Sequence, residues 1–544
     1  MKKLMALLLV LAMVLSMAAC GGGNETAKNE EPAAAGQSGE AGEAGGAAAA
    51  ELADSMTIGT TLDVESFNPW LMANDARQQV FYNKIYETLA FLRPDGTREY
   101  VLAKSVEANG EGCYKIILHD NIFDSNGNQI TASDIVFSYE QCFATGQLAW
   151  GIKYLDHFDI INDYELDMYL NQESAVALDM VLKTCHIVDE DSFNASPDGM
   201  ATTPVGTGPY VLENYIPGSE VVLTARDDYW QTDEALRATS GAQGSVKTVT
   251  YKVISDAAQL ALALEMGDID ASINIATADL DTFLNEDRSA KDGYNVVQTL
   301  GALLYYVCFN CSENSPMQDQ AVRQAVSYAI DMEAIAQNIY GNDGSVAHTN
   351  SSVYYSDYDE SLNEHIPYQY NVEKARQLLA DAGYSDGDIT LELIINTEFN
   401  YAQTASLIQA YLKEIGISVN ISTYESAMFN TLINDPTGFD MYMNCTMSLN
   451  TPGRMGLFDL NGYSTGVNGV FVNDPVLQEK FEAANMATTY SKETVTDLLN
   501  YVEEMAYNYP MYYAYNYIIT SDRVTDIVYD RNNAIVPNAC TVLK

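Results

Sequence analysis

The sequence predicts a mixed α/β fold, and three observations carry that prediction. Strand-like and helix-like apolar patterns alternate along the whole body. One stretch reads as a complete β-α-β unit: "LELII" from Leu391 is a strand, Ala405, Ile408, Leu412 and Ile415 form a helix face, and "ISVNIS" from Ile417 alternates as a half-buried strand. At 47% hydrophobic and 19% charged, the 544-residue chain has the composition of a globular protein. Its body of about 490 residues has room for roughly three domain-sized units.

The chain begins "MKKLMALLLVLAMVLSMAAC". Lys2 and Lys3 make a basic start, Leu4 to Met17 is almost wholly apolar, and small residues lead into Cys20. This reads as a secretory signal whose apolar core is short for a membrane span. "MAAC" resembles the bacterial lipobox, in which the cysteine is lipidated and becomes the mature N-terminus; Met17 stands where leucine is usual. Gly21 to Ala53 is rich in Gly, Ala, Glu and Ser. Such a segment buries too little apolar surface to offset its ordering entropy, so a flexible tether is expected. An anchor followed by a tether describes a globular body held at the outer face of a membrane.

Further along, "YKIIL" from Tyr114 is strand-like and "DSNGNQI" from Asp124 is a turn. "TASDIVFSYEQCF" opens with Thr131 and carries Asp134 three residues on, a capping pair ahead of an apolar-periodic helix. "DQAVRQAVSYAIDMEAI" places Ala321, Val322, Ala325, Val326, Ala329 and Ile330 on one helical stripe. "NVEKARQLLADAG" is another helix, with Gly383 as its stop. "LLYYVCFNC" reads as a buried strand.

Composition and motifs exclude several functions. The formal net charge of −48 argues against nucleic acid, which needs basic surface to displace counterions. Without Cys20 the cysteines number seven, an odd count for a fully paired framework. "CFNC" (Cys308 to Cys311) has redox spacing but lies on a strand, whereas a redox pair uses a helix N-terminus to lower a thiol pKa. The five histidines, His119, His157, His186, His348 and His365, make no HxxxH pair and no zinc-finger spacing. "GYSTG" (Gly462 to Gly466) matches GxSxG literally but lies in Gly/Asn-rich loop, without the strand and helix of a nucleophile elbow. "DSNGNQI" fails as a calcium loop because Ile135 occupies the bidentate Glu position. "GTGPY" (Gly206 to Tyr210) lacks the Lys-Ser/Thr of a phosphate loop, and Pro209 removes a backbone donor. Its glycines therefore mark a close backbone crossing. No catalytic constellation, metal set or cofactor motif emerges.

"TTPVGTGPYVLENYIPGSEVVLTARDDYW", from Thr202 to Trp230, resembles a characteristic segment of the family 5 solute-binding proteins, the oligopeptide- and dipeptide-binding receptors of ABC importers. "TLDVESFNPW", "NKIYETLAFLRPDG", "FDSNGNQITASDIVFSYE", "ALEMGDIDAS", "YYVCFN", "VRQAVSYAID", "NVEKARQLLADAGY" and "FDMYM" agree with the family in order. The resemblance implies a two-lobed, periplasmic-binding-protein-like α/β fold with three domains and a ligand cleft between the lobes. Domain I would combine residues 54–89, 204–300 and 513–544; domain II would be 90–203; domain III would be 301–512. It further implies a monomeric receptor that passes a peptide or similar polar solute to ABC permease subunits and breaks no bond in it. A surface hydrolase, an adhesin, or a nickel-chelate or sugar binder of the same family are the alternatives.

The resemblance also points to ligand-facing positions. The segment after the first Asn-Pro suggests Met72, Ala73, Asn74 and Asp75, and the strand "LLYYVCFN" suggests Tyr306 and Asn310. Peptide-binding members carry a Trp and an Asp after the strand that here reads "FDMYMNCTMSLNTPGRM". Thr446 replaces the tryptophan, and Leu449 or Asn450 falls where the aspartate would pair with a peptide ammonium. Arg454, just beyond, could instead meet a carboxylate. The expectation is a polar solute without a strongly paired ammonium, contacted by Asn74, Asp75, Tyr306 and Arg454.

Overall fold

The computed structural model describes residues 51–71, 79–93, 97–146, 148–233, 237, 246–301, 303–353, 355, 357–364, 367–397, 401–446, 448, 450–458, 469–530 and 534–544. Cys20 and the tether up to residue 50 therefore lie outside the described residues, as do Met72 to Asp75, Leu449 and the GYSTG segment. Among the described residues, no helix is long and apolar enough to cross a membrane.

The backbone of the fold is a long mixed sheet. One hydrogen-bonded path runs Ser418–Tyr424, Thr390–Asn396, Met441–Thr446, Leu304–Phe309, Asn508–Ser521, Ala271–Ser272, Ser55–Thr60, Thr248–Val253, Glu220–Ala225, Tyr210–Ile216. Tyr294–Leu300 and Gly344–Val346 add to it by pairing with the long strand Asn508–Ser521. A separate antiparallel sheet holds Ala103–Ala108, Cys113–Leu118, Glu165–Leu170 and Leu155–Asn162 in that order.

The long strand serves two halves of the sheet. Its first part, Asn508 to Tyr512, pairs with Leu304–Phe309. Its last part, Tyr515 to Ser521, pairs with Tyr294–Leu300. Ala514 sits at the changeover and pairs with Gly344. Each half has its own interior. One core gathers Phe67, Trp70, Tyr86, Tyr210 and Tyr251; the other half divides into a cluster around Val307, Leu393 and Met511 and a cluster around Tyr306, Tyr442 and Phe458. Alternation explains that division: along Leu304–Phe309, Tyr306 and Cys308 point to one face and Val307 and Phe309 to the other.

Local chemistry sets the elements much as the pattern predicts. The Thr131 nitrogen donates to Asp134 Oδ2 (2.8 Å) at the start of the helix Ala132–Thr145. Asp124 Oδ1 accepts from the nitrogens of Asn126 and Asn128, so "DSNGNQI" is a turn closed by its own aspartate. Thr390–Asn396 and Ser418–Tyr424 pair in parallel around the helix Tyr401–Glu414. "DQAVRQAVSYAIDMEAI" forms two helices, Gln320–Ala329 and Met332–Tyr340. Asp331 leaves helical geometry and caps the second by accepting from the Ala334 nitrogen (2.9 Å). The predicted stripe, Ala321 to Ile330, coincides with the first helix and its C-terminal cap, and the short acid that bonds the backbone ends that helix and starts the next.

The glycines of "GTGPY" make the close crossing the sequence suggests. A Cβ on Gly206 would lie 2.2 Å from the Ile85 carbonyl oxygen, and one on Gly208 would lie 2.5 Å from that of Lys84. Gly208 donates its own N–H to Ile85 O (2.8 Å), so the segment is bound to the end of the helix Gln79–Ile85.

Candidate functional site

Arg454 ends the short helix Thr451–Arg454 and is buried, with 2% of its surface exposed. Its neighbours in sequence, Met455 and Phe458, belong to the apolar cluster that includes Tyr306. The guanidinium sits over the ring of that tyrosine, with Cζ 3.9 Å from the ring centroid. Nη2 donates to Asn350 Oδ1 (3.1 Å). Nε and Nη1 have no hydrogen-bond partner among the described residues. Among the described residues, no carboxylate forms an ion pair with Arg454. A buried cation without an anion is costly, and a tyrosine face offsets only part of that cost.

The polar groups around Arg454 come from three distant segments. Residues Thr349, Asn350, Ser351 and Ser352 are all buried, although they follow the strand Gly344–Val346 without regular structure. Asn350 and Asn508 exchange amide hydrogen bonds of 3.0 and 2.6 Å, which fixes Asn350 Oδ1 toward Arg454. Thr451 Oγ1 donates to Asp357 Oδ1 (2.9 Å), so Ser351 Oγ, 2.7 Å from Thr451 Oγ1, is the donor in that contact. The Thr451 nitrogen also donates to Asp357 (2.9 Å). Burial raises the Asp357 carboxyl above its ordinary value, and the Thr451 bonds oppose that. Tyr513 Oη donates to the Ser351 carbonyl (2.7 Å), which attaches the cluster to the long strand one residue before Ala514. Burial likewise raises the Tyr306 phenol, against the pull of the Arg454 charge.

The sequence-predicted positions therefore separate. Tyr306 and Arg454 meet. Asn450 caps the helix that carries Arg454, with its side-chain oxygen accepting from the Gly453 nitrogen (2.9 Å). Asn310 is fully buried, and its amide nitrogen is committed to the carbonyls of Pro436 (2.8 Å) and Phe439 (2.7 Å), which ties down a turn. Thr446 is the last residue of Met441–Thr446, opposite Leu304. Asn74 and Asp75 lie outside the described residues.

Sequence reasoning missed Thr349, Asn350, Ser351, Asp357, Asn508 and Tyr513. The available signal was the run "TNSS" between a strand and an aromatic pair. Composition alone reads it as a solvated loop, and only its burial marks it as part of an interior polar site.

The CFNC pair is held protonated by burial. The seven cysteines among the described residues are free, and burial pushes Cys308 up to about 12 and Cys311 up to about 11. Both stay protonated and unreactive at neutral pH.

The fold and the cluster can now be set beside known proteins. Residues 98–468 match the family model described as bacterial extracellular solute-binding proteins, family 5 Middle. The oligopeptide-binding protein AppA of Bacillus subtilis is 25% identical over 561 aligned positions, covering 97% of this chain and 95% of its own. Heme-binding protein A of Haemophilus influenzae is 25% identical over 78% of each chain. Among solved structures, HbpA2 of Haemophilus parasuis aligns with a TM-score of 0.76 at 20% identity, over 90% of this chain and all of its own. The fold is accordingly the two-lobed α/β architecture of these binding proteins, and a family match over more than half of the sequence makes the chain a member of the bacterial extracellular solute-binding proteins, family 5.

Proposed function

We propose that the protein is a lipid-anchored receptor at the extracytoplasmic face of the cell membrane. It captures a peptide or a similar small polar solute between its lobes and delivers it to the permease of an ABC importer. The observation that carries this reading is the buried polar cluster of Arg454, Asn350 and Tyr306, seated where the long strand passes from one half of the sheet to the other. A site at such a crossing is well placed to couple occupancy to closure, because a ligand touching both lobes shifts their equilibrium by its differential affinity. The curated relative AppA is named for oligopeptides, which supports a peptide-like solute.

Three domains fit the strand pairing: 54–89 with 204–300 and 513–544, then 90–203, then 301–512. The four-stranded sheet lies wholly within the second, and the proposed boundary at 513 falls where the long strand changes partners. Anchoring would rest on Cys20, with the expected tether 21–53 shortened at its end, because Ala53 is buried and donates its N–H to the Val542 carbonyl (2.8 Å). The receptor would act as a monomer and change no bond in its solute.

Two measurements test this. A peptide library screened by thermal stabilisation should contain members that add about 2.7 kcal/mol at a hundred times their Kd. The Cys20→Ser protein should appear in the culture medium. Retention of that variant in the membrane fraction would refute lipid anchoring.

A further inference from the structure

We infer that Arg454 receives a carboxylate of the solute, so that the ligand class is acidic: a peptide presenting its C-terminal carboxylate, or a non-peptide carboxylic acid. This rests on the receptor reading and specifies what its site selects. A guanidinium carries five N–H donors in a fixed plane. Nη2 reaches Asn350 Oδ1, whereas Nε and Nη1 reach nothing. Two features argue against a purely structural arginine. The charge is buried without a carboxylate ion pair among the described residues, and the next residue on the Asn350 segment, Thr349, also has a buried hydroxyl without a partner. The nearby acid, Asp357, is occupied by the nitrogen and hydroxyl of Thr451.

A second buried arginine in the same half shows what satisfied burial looks like. Arg323 directs its guanidinium to the carbonyls of Met317, Gln318, Met505 and Ala506 at 2.7–3.1 Å. The sequence thus solves the burial of one guanidinium with four backbone acceptors and leaves the other open on two nitrogens. Nη2 carries two hydrogens and spends one on Asn350, so its second N–H, with whichever of Nε and Nη1 lies on the same edge, leaves one two-pronged edge open to a planar carboxylate beside the Tyr306 ring. An ammonium at the same position would meet like charge, which agrees with the absence of the aspartate anchor noted in the sequence.

The test compares probe sets on the full chain in detergent by calorimetry: tri- to pentapeptide mixtures with free C-termini beside the same mixtures C-amidated, and succinate and citrate beside their amides. The wild type should bind at least one carboxylate-bearing set about 10- to 100-fold more tightly than its capped counterpart, the range expected for hydrogen bonds to a charged group. Arg454→Met should lose that preference while unfolding cooperatively near or above the wild-type temperature, and Arg454→Lys should recover it only in part. Preference for free peptides identifies the peptide source; preference for succinate or citrate identifies the non-peptide source. Equal affinity for capped and free peptides, or an Arg454→Met protein that keeps the preference, would overturn the inference and leave the receptor reading standing. A wild type that binds none of the probes would overturn both.

Discussion

The nitrogen of Gly301 lies 2.7 Å from the carbonyl oxygen of Ala514, and a Cβ on Gly301 would stand 2.3 Å from that same oxygen. Here the chain leaving Tyr294–Leu300 passes the long strand at the point where its partners change.

A methyl group cannot be fitted at Gly301 without parting the two backbones. Gly301→Ala should therefore lower stability by about 2 kcal/mol or more in urea unfolding. Gly218→Ala is the control. Gly218 has φ +72° but open space around it, so the cost there is backbone strain alone, about 1 kcal/mol. Equal losses at the two positions would show that the crossing is not tightly packed.

The two buried arginines should respond in opposite ways to loss of charge. Arg323→Met strands four carbonyls, two of them on buried residues, and should cost about 3 kcal/mol or more. Arg454→Met removes a cation that lacks an ion partner and fills its space with an apolar chain. Its unfolding free energy without solute should stay within about 1 kcal/mol of wild type or exceed it. A loss at Arg454 as large as that at Arg323 would mean that Arg454 holds the fold together.

Much of this organisation was legible because it depends on short-range chemistry. Thr131 with Asp134, the turn around Asp124 and the glycines of "GTGPY" each declare themselves within a few residues. The stripe from Ala321 to Ile330 was legible as a helix, whereas the start of the next helix at Asp331 rests on the acid's cap geometry, which the apolar pattern does not encode. The binding cluster was half legible. Tyr306 and Arg454 stood out by their place in the family pattern. Their juxtaposition, and the role of Asn350, arise from strand order that brings together segments about a hundred residues apart, which no local pattern encodes.

His186 should make the protein acid-sensitive. Its ring is buried beside those of Tyr82 and Tyr86, with Nδ1 3.3 Å from the Pro69 carbonyl and Nε2 3.2 Å from Asn83 Oδ1. Burial pushes it down to about 4 from 6.5, against the Pro69 carbonyl, which favours the charged ring. The unfolded chain thus takes up a proton that the folded protein resists. The stability held by the neutral ring is complete above pH 6.5 and is lost as pH falls toward 4, by about 3 kcal/mol in all. His186→Gln lacks this term. The stability gap between wild type and variant should shift by that amount, against the wild type, between about pH 7 and pH 4, the range of the two pKa values. A constant gap would show that the ring is protonated in place.

Glu87 predicts the opposite slope in an overlapping window. Its carboxyl is buried and accepts from Tyr229 Oη and from Trp230 Nε1 (2.8 Å). Burial raises it to about 7 from 4.5, and the bonds from Tyr229 and Trp230 hold it below where burial alone would place it. A raised carboxyl favours the folded state while it is protonated. Its contribution is complete below pH 4.5 and is lost as pH rises through 7, again by about 3 kcal/mol. In the wild type this loss runs against the gain from His186, so a single pH profile would show little of either. The variants separate them. Glu87→Gln stays neutral throughout, and its stability relative to wild type should climb by about 3 kcal/mol between about pH 4.5 and pH 8 in urea unfolding. Infrared spectra should show a protonated carboxyl band in wild type at pH 5.5 that Glu87→Gln lacks. Parallel unfolding profiles without that band would mean that Tyr229 and Trp230 hold Glu87 ionised inside the core, and that the acid side of the profile belongs to His186 alone.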